Sequence, residues 1–208
     1  MTEPTWVDQA RRLAAAAQNG LFYAANDFDV LRWTEVRRIA SALLANGSGE
    51  DPARIEALLG LEEGYATPKV DVRALLVDDE GRVCLVRELA DGRWSLPGGW
   101  ADPGDLPSTA AEREVREEAG YRARATRLLA CWDRSLMPGA DPYPFRIYKL
   151  IFDCHVLGEV DRDHSETDDV GWFAPDALPP LSLGRTDPQQ VARLLALHAD
   201  PSAPAAFD

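Results

Sequence analysis

The stretch from Gly99 to Tyr121, GWADPGDLPSTAAEREVREEAGY, puts three glutamates on one short helix and brackets that helix with glycines. Glu114, Glu117 and Glu118 stand at i, i+3 and i+4, so their side chains share one face. Carboxylates that close repel, and each raises the pKa of the others unless something compensates the charge. A divalent cation does so, and hard carboxylate oxygens suit Mg²⁺ or Mn²⁺. Arg113, four residues before Glu117, is spaced to hold that carboxylate in a fixed orientation. Ala111, Val115 and Ala119 recur at i, i+4 and i+8 on the opposite side and supply an apolar face to bury. Gly120 is expected to stop the helix, as a glycine just past a helix end does. Ahead of it, Leu96-Pro97-Gly98-Gly99 is a glycine-rich turn. A helix with one packed face and one acidic face is a metal platform.

Gly99, Arg113, Glu114, Val115, Glu117, Glu118, Gly120 and Tyr121 fall at the spacing of the Nudix box, the signature of a family of pyrophosphohydrolases, and the stretch resembles that box. The one departure is Asp105, where the family pattern has glutamate; the exchange keeps the charge and shortens the reach by one methylene. The resemblance implies a Nudix α-β-α sandwich with a mixed sheet, an α+β fold, from about Lys69 onward. It also implies a metal site made of Glu114, Glu117, Glu118 and the backbone carbonyl of Gly99, with Mg²⁺ (or Mn²⁺) as cofactor. A glycine there lets the chain turn tightly and approach the ion.

The chemistry can be argued beside the resemblance. Hydrolysing a pyrophosphate needs its charges neutralised, a water deprotonated, and the two kept in line. Metal held by the three glutamates serves the first two needs, with Arg113 beside them. The general base is either a box glutamate or an acid on a loop outside the box. The run His164 to Asp169 is such a loop, with Glu166 the first choice and Asp168 the second; a solvated acidic loop is the competing reading. Arg73, Arg87, Arg134, Lys149 and Arg185 are candidates for substrate phosphates. Solvated surface charge is the commoner role for such residues.

Beyond the box, the chain resembles a Nudix subgroup with an N-terminal helical domain, acting as ADP-ribose or CDP-choline pyrophosphatases. The matching text is Glu63 to Arg73, Trp94 to Asp102 and Leu181 to Thr186. The resemblance implies a nucleoside diphosphate linked to a second moiety as substrate, cut to a nucleoside monophosphate and a phosphorylated product. It also implies a homodimer with the N-terminal helices in the interface. Two alternatives stay open: a hydrolase of nucleoside triphosphates or RNA 5′ ends, and a non-catalytic regulator that binds a nucleotide sugar.

Residues 1–66 read as a helical domain that dimerises or shapes the substrate site, and 67–208 as the hydrolase domain. A first helix carries Trp6, Ala10, Leu13 and Ala17 on one face and is expected to end at Asn19-Gly20. A second starts near Asp27 as N-cap, buries Val36, Ile39, Ala40, Leu43 and Leu44, and breaks at Asn46 to Gly49. Asp51-Pro52 opens a third. Trp6, Phe22, Tyr23, Phe28 and Trp33 are positioned to dock this part on the rest of the chain or on a partner. Arg11, Arg12, Arg32, Arg37 and Arg38 raise a helix-turn-helix reading, but Asp8, Asp27, Asp29 and Glu35 interrupt any basic stripe. With 35 acidic against 22 basic residues, net charge −13, the chain is a poor general nucleic-acid binder.

In the second part, Val70 to Val77 and Arg82 to Leu89 read as a β-hairpin. Further strands are expected around Arg122 to Arg134, Phe145 to Leu157 and Asp169 to Phe173. A last helix runs from Asp187-Pro188 to about His198, and Pro201 to Asp208 is a mobile tail. Cys84, Cys131 and Cys154 lack CxxC spacing and read as buried free thiols. With no apolar run long enough to span a membrane, the expected location is the cytoplasm.

Overall fold

Two glycines read as helix stops lie inside helices instead. The computed structural model describes residues 5–137, 143–163 and 165–208, and His164 lies outside them. Helix α1 spans Thr5–Tyr23, α2 Asp27–Ser48 and α3 Pro52–Gly60. A Cβ at Gly20 in α1 would come within 2.1 Å of the indole of Trp33 in α2, and one at Gly47 in α2 within 1.8 Å of the Trp6 ring in α1. Each helix therefore offers a glycine to the other's tryptophan. Glycine costs a helix about 1 kcal/mol against alanine, a loss offset here by burying a large aromatic surface. The helix continues because the contact outweighs the propensity.

Asn26, one residue earlier than expected, caps α2 by accepting the Asp29 N–H, and Gly49 at φ 75° ends it with an N–H to the Ala45 carbonyl. Asp51 caps α3 and Pro52 takes its first turn, as the sequence indicates. The core between these helices is small: Val7, Ala10, Ala14, Ala40, Leu44 and Leu59. Ile39 and Leu43, expected inside, face outward, as do Phe22, Tyr23, Phe28 and Leu31.

The chain divides into two compact units, Met1–Pro68 with Asp141–Arg146, and Lys69–Ala140 with Ile147–Asp208. The inserted segment belongs to the first unit through hydrogen bonds from Arg11 to the Tyr143 carbonyl and from Arg146 to Asp8.

In the second unit, β1 (Lys69–Leu76) and β2 (Val83–Glu88) are buried along nearly their whole lengths. Such runs belong to strands covered on both faces. β1 sends Val72, Ala74 and Leu76 to one core and Leu75 to the other; β2 divides Cys84 and Val86 from Val83 and Leu85. The expected hairpin is accordingly not a paired ladder. β1 runs parallel to β5 (Ile147–Glu159), and β2 lies antiparallel to β6 (Thr167–Phe173); a lone bridge, Val77 to Val83, joins the first two. With β3 (Trp94–Ser95), β4 (Tyr121–Asp133) and β7 (Ala206–Phe207), the strand orders are β1-β5-β4-β7 and β3-β2-β6.

Helix α4 (Pro107–Glu114) and the turn continuing it cover the first core through Ala110, Ala111, Val115 and Ala119. Helix α5 (Pro188–Ala199) covers the second through Val191 and Leu194, its N-cap Asp187 accepting from the Gln189 and Gln190 N–H groups. The result is the α-β-α sandwich with mixed sheet. The tail expected to be mobile supplies β7, which pairs in parallel with Ala130 and Cys131 of β4, while Asp208 accepts the Asp133 N–H at 2.6 Å. An edge strand with open backbone groups is a template for that pairing.

The two kinds of helical glycine predict opposite outcomes in thermal unfolding. Gly47→Ala is expected to lower stability by about 1–3 kcal/mol, because the Trp6 contact outweighs the propensity gain. Gly60→Ala, with nothing within 4 Å of its Cβ, is expected to raise stability by roughly 0.4–1 kcal/mol.

Candidate active site

Helix α4 starts at Pro107 with no side-chain cap and is regular only to Glu114. Val115–Ala119 then form a π-helical turn, closed by Gly120 at φ 72° donating to the Val115 carbonyl. The expected single helix thus widens at its acidic end, and π turns inside α-helices recur at functional sites. Ala111, Val115 and Ala119 are buried as the spacing indicates. On the acidic side, Glu114 is 7% exposed and Glu118 5%, while Glu117 is half-buried.

The Pro97 to Ala101 turn docks along β1. Val72 N–H donates to the Gly99 carbonyl (2.8 Å), Ala74 N–H to Pro97 (2.9 Å), and Ala101 N–H to Val70 (3.1 Å). Gly98 sits at φ 147°, and a Cβ there would meet the Val72 carbonyl at 2.1 Å, so no other residue fits. Its N–H donates to Glu118 Oε2 at 2.7 Å. A Cβ at Gly99 would lie 3.1 Å from Glu114 Oε1. Two successive glycines bring backbone against two buried carboxylates.

Arg113 gathers the rest. Its guanidinium donates to Glu114 (2.8 Å), Glu117 (3.3 Å), the Trp100 carbonyl (3.2 Å) and Asp105 (3.3 Å). Asp105, one methylene shorter than the family glutamate, still reaches it. Burial pushes Glu118 up to about 8, with Arg73 and the Gly98 N–H offsetting only part of the desolvation. Burial raises Glu114 as well, against the pull of Arg113.

Under the turn lies a charged cluster with little access to water. Arg73 donates Nε and Nη2 to the two Asp71 oxygens at 3.0 and 2.9 Å, and Nη1 to the Leu96 carbonyl at 3.0 Å. Lys149 Nζ stands 3.1 Å from Asp71. Burial alone would raise Asp71, but Arg73 and Lys149 overcome it and hold the carboxyl at about 2; burial pushes Lys149 down to about 8. Arg73 and Lys149, two of the candidate phosphate ligands, are thus engaged inside the unit.

The other candidates are spread more widely. Arg87 binds Asp168 (2.7 Å) and lies over the Trp94 ring. Arg134 donates to the Gly184 carbonyl, and Arg185 reaches Glu88 at 3.2 Å and Asp91 at 3.8 Å. Glu166 is exposed on the loop before β6, its carbonyl accepting the Leu89 N–H. Sequence reasoning missed Asp71 and Glu88, the buried partners of these cations. The signal for Asp71 was present: Asp71 and Arg73 alternate on a strand and share a face. Glu88 carries no such local cue; it accepts from Ser95 at 2.6 Å across a sheet pairing.

The donor set suits a hard divalent cation: oxygen only, two carboxylates raised by burial, and a glycine where a Cβ would crowd Glu114. Among the described residues no three acidic, histidine or cysteine side chains already converge on one point. Arg113 holds Glu114 and Glu117, and Gly98 holds Glu118. The oxygen-donor chemistry fits such an ion.

A model of the NUDIX domain matches residues 67–195, and one of the UDP-X-like, N-terminal oligomerisation domain matches residues 4–59. The Bacillus subtilis (strain 168) protein YjhB, whose name offers ADP-ribose pyrophosphatase as a provisional assignment, is 36% identical over 203 residues, covering 98% of this chain and 97% of that one. The crystal structure of a UDP-X diphosphatase is 31% identical with a TM-score of 0.63 and covers 100% of both chains. That of an ADP-ribose pyrophosphatase from Streptococcus suis 89-1591 is 36% identical with a TM-score of 0.61, covering 68% of this chain and 100% of its own.

The Asp71 cluster predicts an acid limb in stability. Asp71 lies below its ordinary 3.8 in the folded protein, so its contribution is complete above that pH and is lost as pH falls through about 2. The expected loss is about 2 kcal/mol. Urea unfolding between pH 5 and 2 checks it: the slope of stability against pH should be shallower in Asp71→Asn than in the native chain.

Proposed function

The chain belongs to the Nudix family of hydrolases acting on pyrophosphate bonds, and we propose that it cleaves a nucleoside diphosphate joined to a second moiety, of the ADP-ribose, CDP-choline or UDP-X kind. The products are a nucleoside monophosphate and a phosphorylated second moiety. The observation that carries this reading is the placement of Glu114 and Glu118 against the Gly98-Gly99 backbone with Arg113 spanning Glu114 and Glu117. Full-length similarity to proteins named for ADP-ribose and UDP-X supports the substrate class.

Glu114, Glu117, Glu118 and the second lone pair of the Gly99 carbonyl would hold Mg²⁺ or Mn²⁺. When bound, the cation neutralises pyrophosphate charge and acidifies a water. Arg113 keeps Glu114 and Glu117 oriented, and the Gly98 N–H does the same for Glu118. Of the two loop acids, Glu166 is the better base. Its carboxylate has no ion pair among the described residues, whereas a hydrogen bond from Arg87 holds Asp168 below the usual carboxylate range. Arg87, Arg134 and Arg185 remain candidates for phosphate contacts.

Residues 1–66 would serve as a dimerisation domain and 67–208 as the hydrolase. Phe28 and Leu31 are 73% and 68% exposed on α2, the kind of apolar surface a second copy would cover. No helix of the described residues is long and apolar enough to cross a membrane, and three free thiols suit a reducing cytoplasm.

The direct test is pyrophosphate-bond cleavage with Mg²⁺, read by chromatography of the products, across ADP-ribose, CDP-choline, UDP-sugars, nucleoside triphosphates and 5′-triphosphorylated RNA. Cleavage of one nucleoside diphosphate compound is expected. Glu117→Gln should lose at least 10²-fold in kcat, and a chelator should abolish turnover. Glu166→Gln should lose about 10²-fold if it is the base. Cleavage of triphosphates or RNA alone would overturn the substrate class. Sedimentation should show a dimer in the native chain, shifted to monomer by Phe28→Asp with Leu31→Asp.

A further inference from the structure

The turn from Leu181 to Thr186 is bound on both sides to β3 and to the residue that opens the box turn. Trp94 N–H donates to the Pro180 carbonyl at 3.0 Å, and Ser182 N–H to the Trp94 carbonyl at 2.8 Å. The Thr186 hydroxyl accepts the Leu96 N–H at 3.0 Å. Between these anchors the chain closes on itself, the Arg185 and Thr186 N–H groups both donating to the Ser182 carbonyl at 2.8 Å. Ser182 and Thr186 are buried, whereas the Arg185 side chain keeps 36% of its surface open. A fixed backbone thus carries one partly open arginine.

Glu88, buried at the end of β2, sets the direction of that arginine. Its Oε1 accepts from the Ser95 hydroxyl at 2.6 Å and stands 3.2 Å from Arg185 Nε. Arg185 Nη1 donates to the Ser182 hydroxyl at 3.1 Å, and that hydroxyl donates to Asp91 at 2.8 Å. Arg185 Nη2 is left without a partner among the described residues. The same Glu88 oxygen lies 3.9 Å from Arg73 Nη1, which donates to the Leu96 carbonyl. Two residues on, the Gly98 N–H holds Glu118. One carboxylate oxygen therefore touches both the arginine under the box turn and the arginine beside it. A buried ion pair adds little net stability over an apolar replacement, so what it contributes is geometry. A planar guanidinium held at Nε and Nη1 keeps its remaining edge pointing one way.

Resting on the pyrophosphohydrolase reading above, we propose that Glu88 is a positioning residue: with Ser182 opposite, it aims Arg185 so that Nη2 donates to a non-bridging oxygen of the substrate pyrophosphate. Glu88 touches neither the substrate nor a metal and acts through Arg185. A donor oriented in advance costs no reorganisation as charge develops on the phosphate oxygens, so the gain falls on kcat. If Glu88 served only as a buried partner for Arg73, its loss would weaken folding and act independently of Arg185.

A double-mutant cycle in the full chain separates these roles, using Mg²⁺ and the nucleoside diphosphate compound that the native protein cleaves. Glu88→Gln keeps the volume and an oxygen for Ser95, and is expected to lower kcat about 10-fold with little change in KM. In an Arg185→Ala background the same substitution should change kcat by no more than about twofold, because the group it aims is gone. Losses that multiply in the double variant would overturn the proposal. Should Glu88→Gln fail to fold, Ser182→Ala takes its place, since it leaves the contact between Glu88 and Arg73 intact. It should lower kcat about threefold, and only while Arg185 is present. A second readout needs no turnover. The arginine Nε–H resonance missing from Arg185→Ala should shift in the native protein when methylenediphosphonate and Mg²⁺ are added. An unmoved resonance would overturn the aimed arginine and leave the hydrolase reading intact. A shift without cleavage of any compound would keep Arg185 as a pyrophosphate ligand and overturn the hydrolase reading instead.

Discussion

Arg73 is buried in the hydrolase unit, and three of its N–H groups are committed: two to Asp71 and one to the Leu96 carbonyl. The last of these ties a strand to the glycine turn that follows Leu96. Through that turn the pair reaches the box, because Gly98 rests against Arg73 and donates its N–H to Glu118. An ion pair this deep contributes little net stability relative to an apolar replacement, but losing one partner strands a charge and is costly. Its value lies in fixing geometry. The bidentate guanidinium admits one arrangement of β1 against the turn, and the acidic helix is read off that arrangement.

The box is held in tension between desolvation and compensation. Ala111, Val115 and Ala119 pack against the core, and Glu114 and Glu118 beside them are drawn out of water. Burial raises both carboxylates, and the protein's own compensation comes from Arg113, Arg73 and the Gly98 backbone N–H. That balance leaves the end of the helix acidic, with Gly98 and Gly99 packed beside its carboxylates. A Cβ at Gly98 would strike the Val72 carbonyl, and one at Gly99 would crowd the Glu114 carboxylate.

The helical unit solves a different problem. Half of its core residues are alanine, too small to specify how α1 and α2 meet. The reciprocal insertion of Trp6 over Gly47 and Trp33 over Gly20 supplies that specification, because each indole has one place to go. The apolar residues of α2 that do not fit this core, Ile39 and Leu43 among them, are left facing outward.

Local rules read well where a residue's role depends on neighbours within one turn. The caps at Asp51 and Asp187, the proline starts of α3 and α5 and the stop at Gly120 were all legible, because each is settled by spacing on a single helix. What failed was whatever depended on distant chain. Gly20 and Gly47 have the sequence mark of a helix end, and only the facing tryptophans make them interior. Val70 to Leu89 has the mark of a hairpin, yet burial on both faces sends its strands to different sheets. The tail's composition suggested mobility, while the open edge of β4 ordered it. The sequence by itself determined which acidic and apolar residues the box segment carries and where that segment stops, since those depend on neighbours along one stretch of chain. Which cations are engaged in buried ion pairs was decided by tertiary structure, because a charge acquires its meaning from partners that arrive across the sheet.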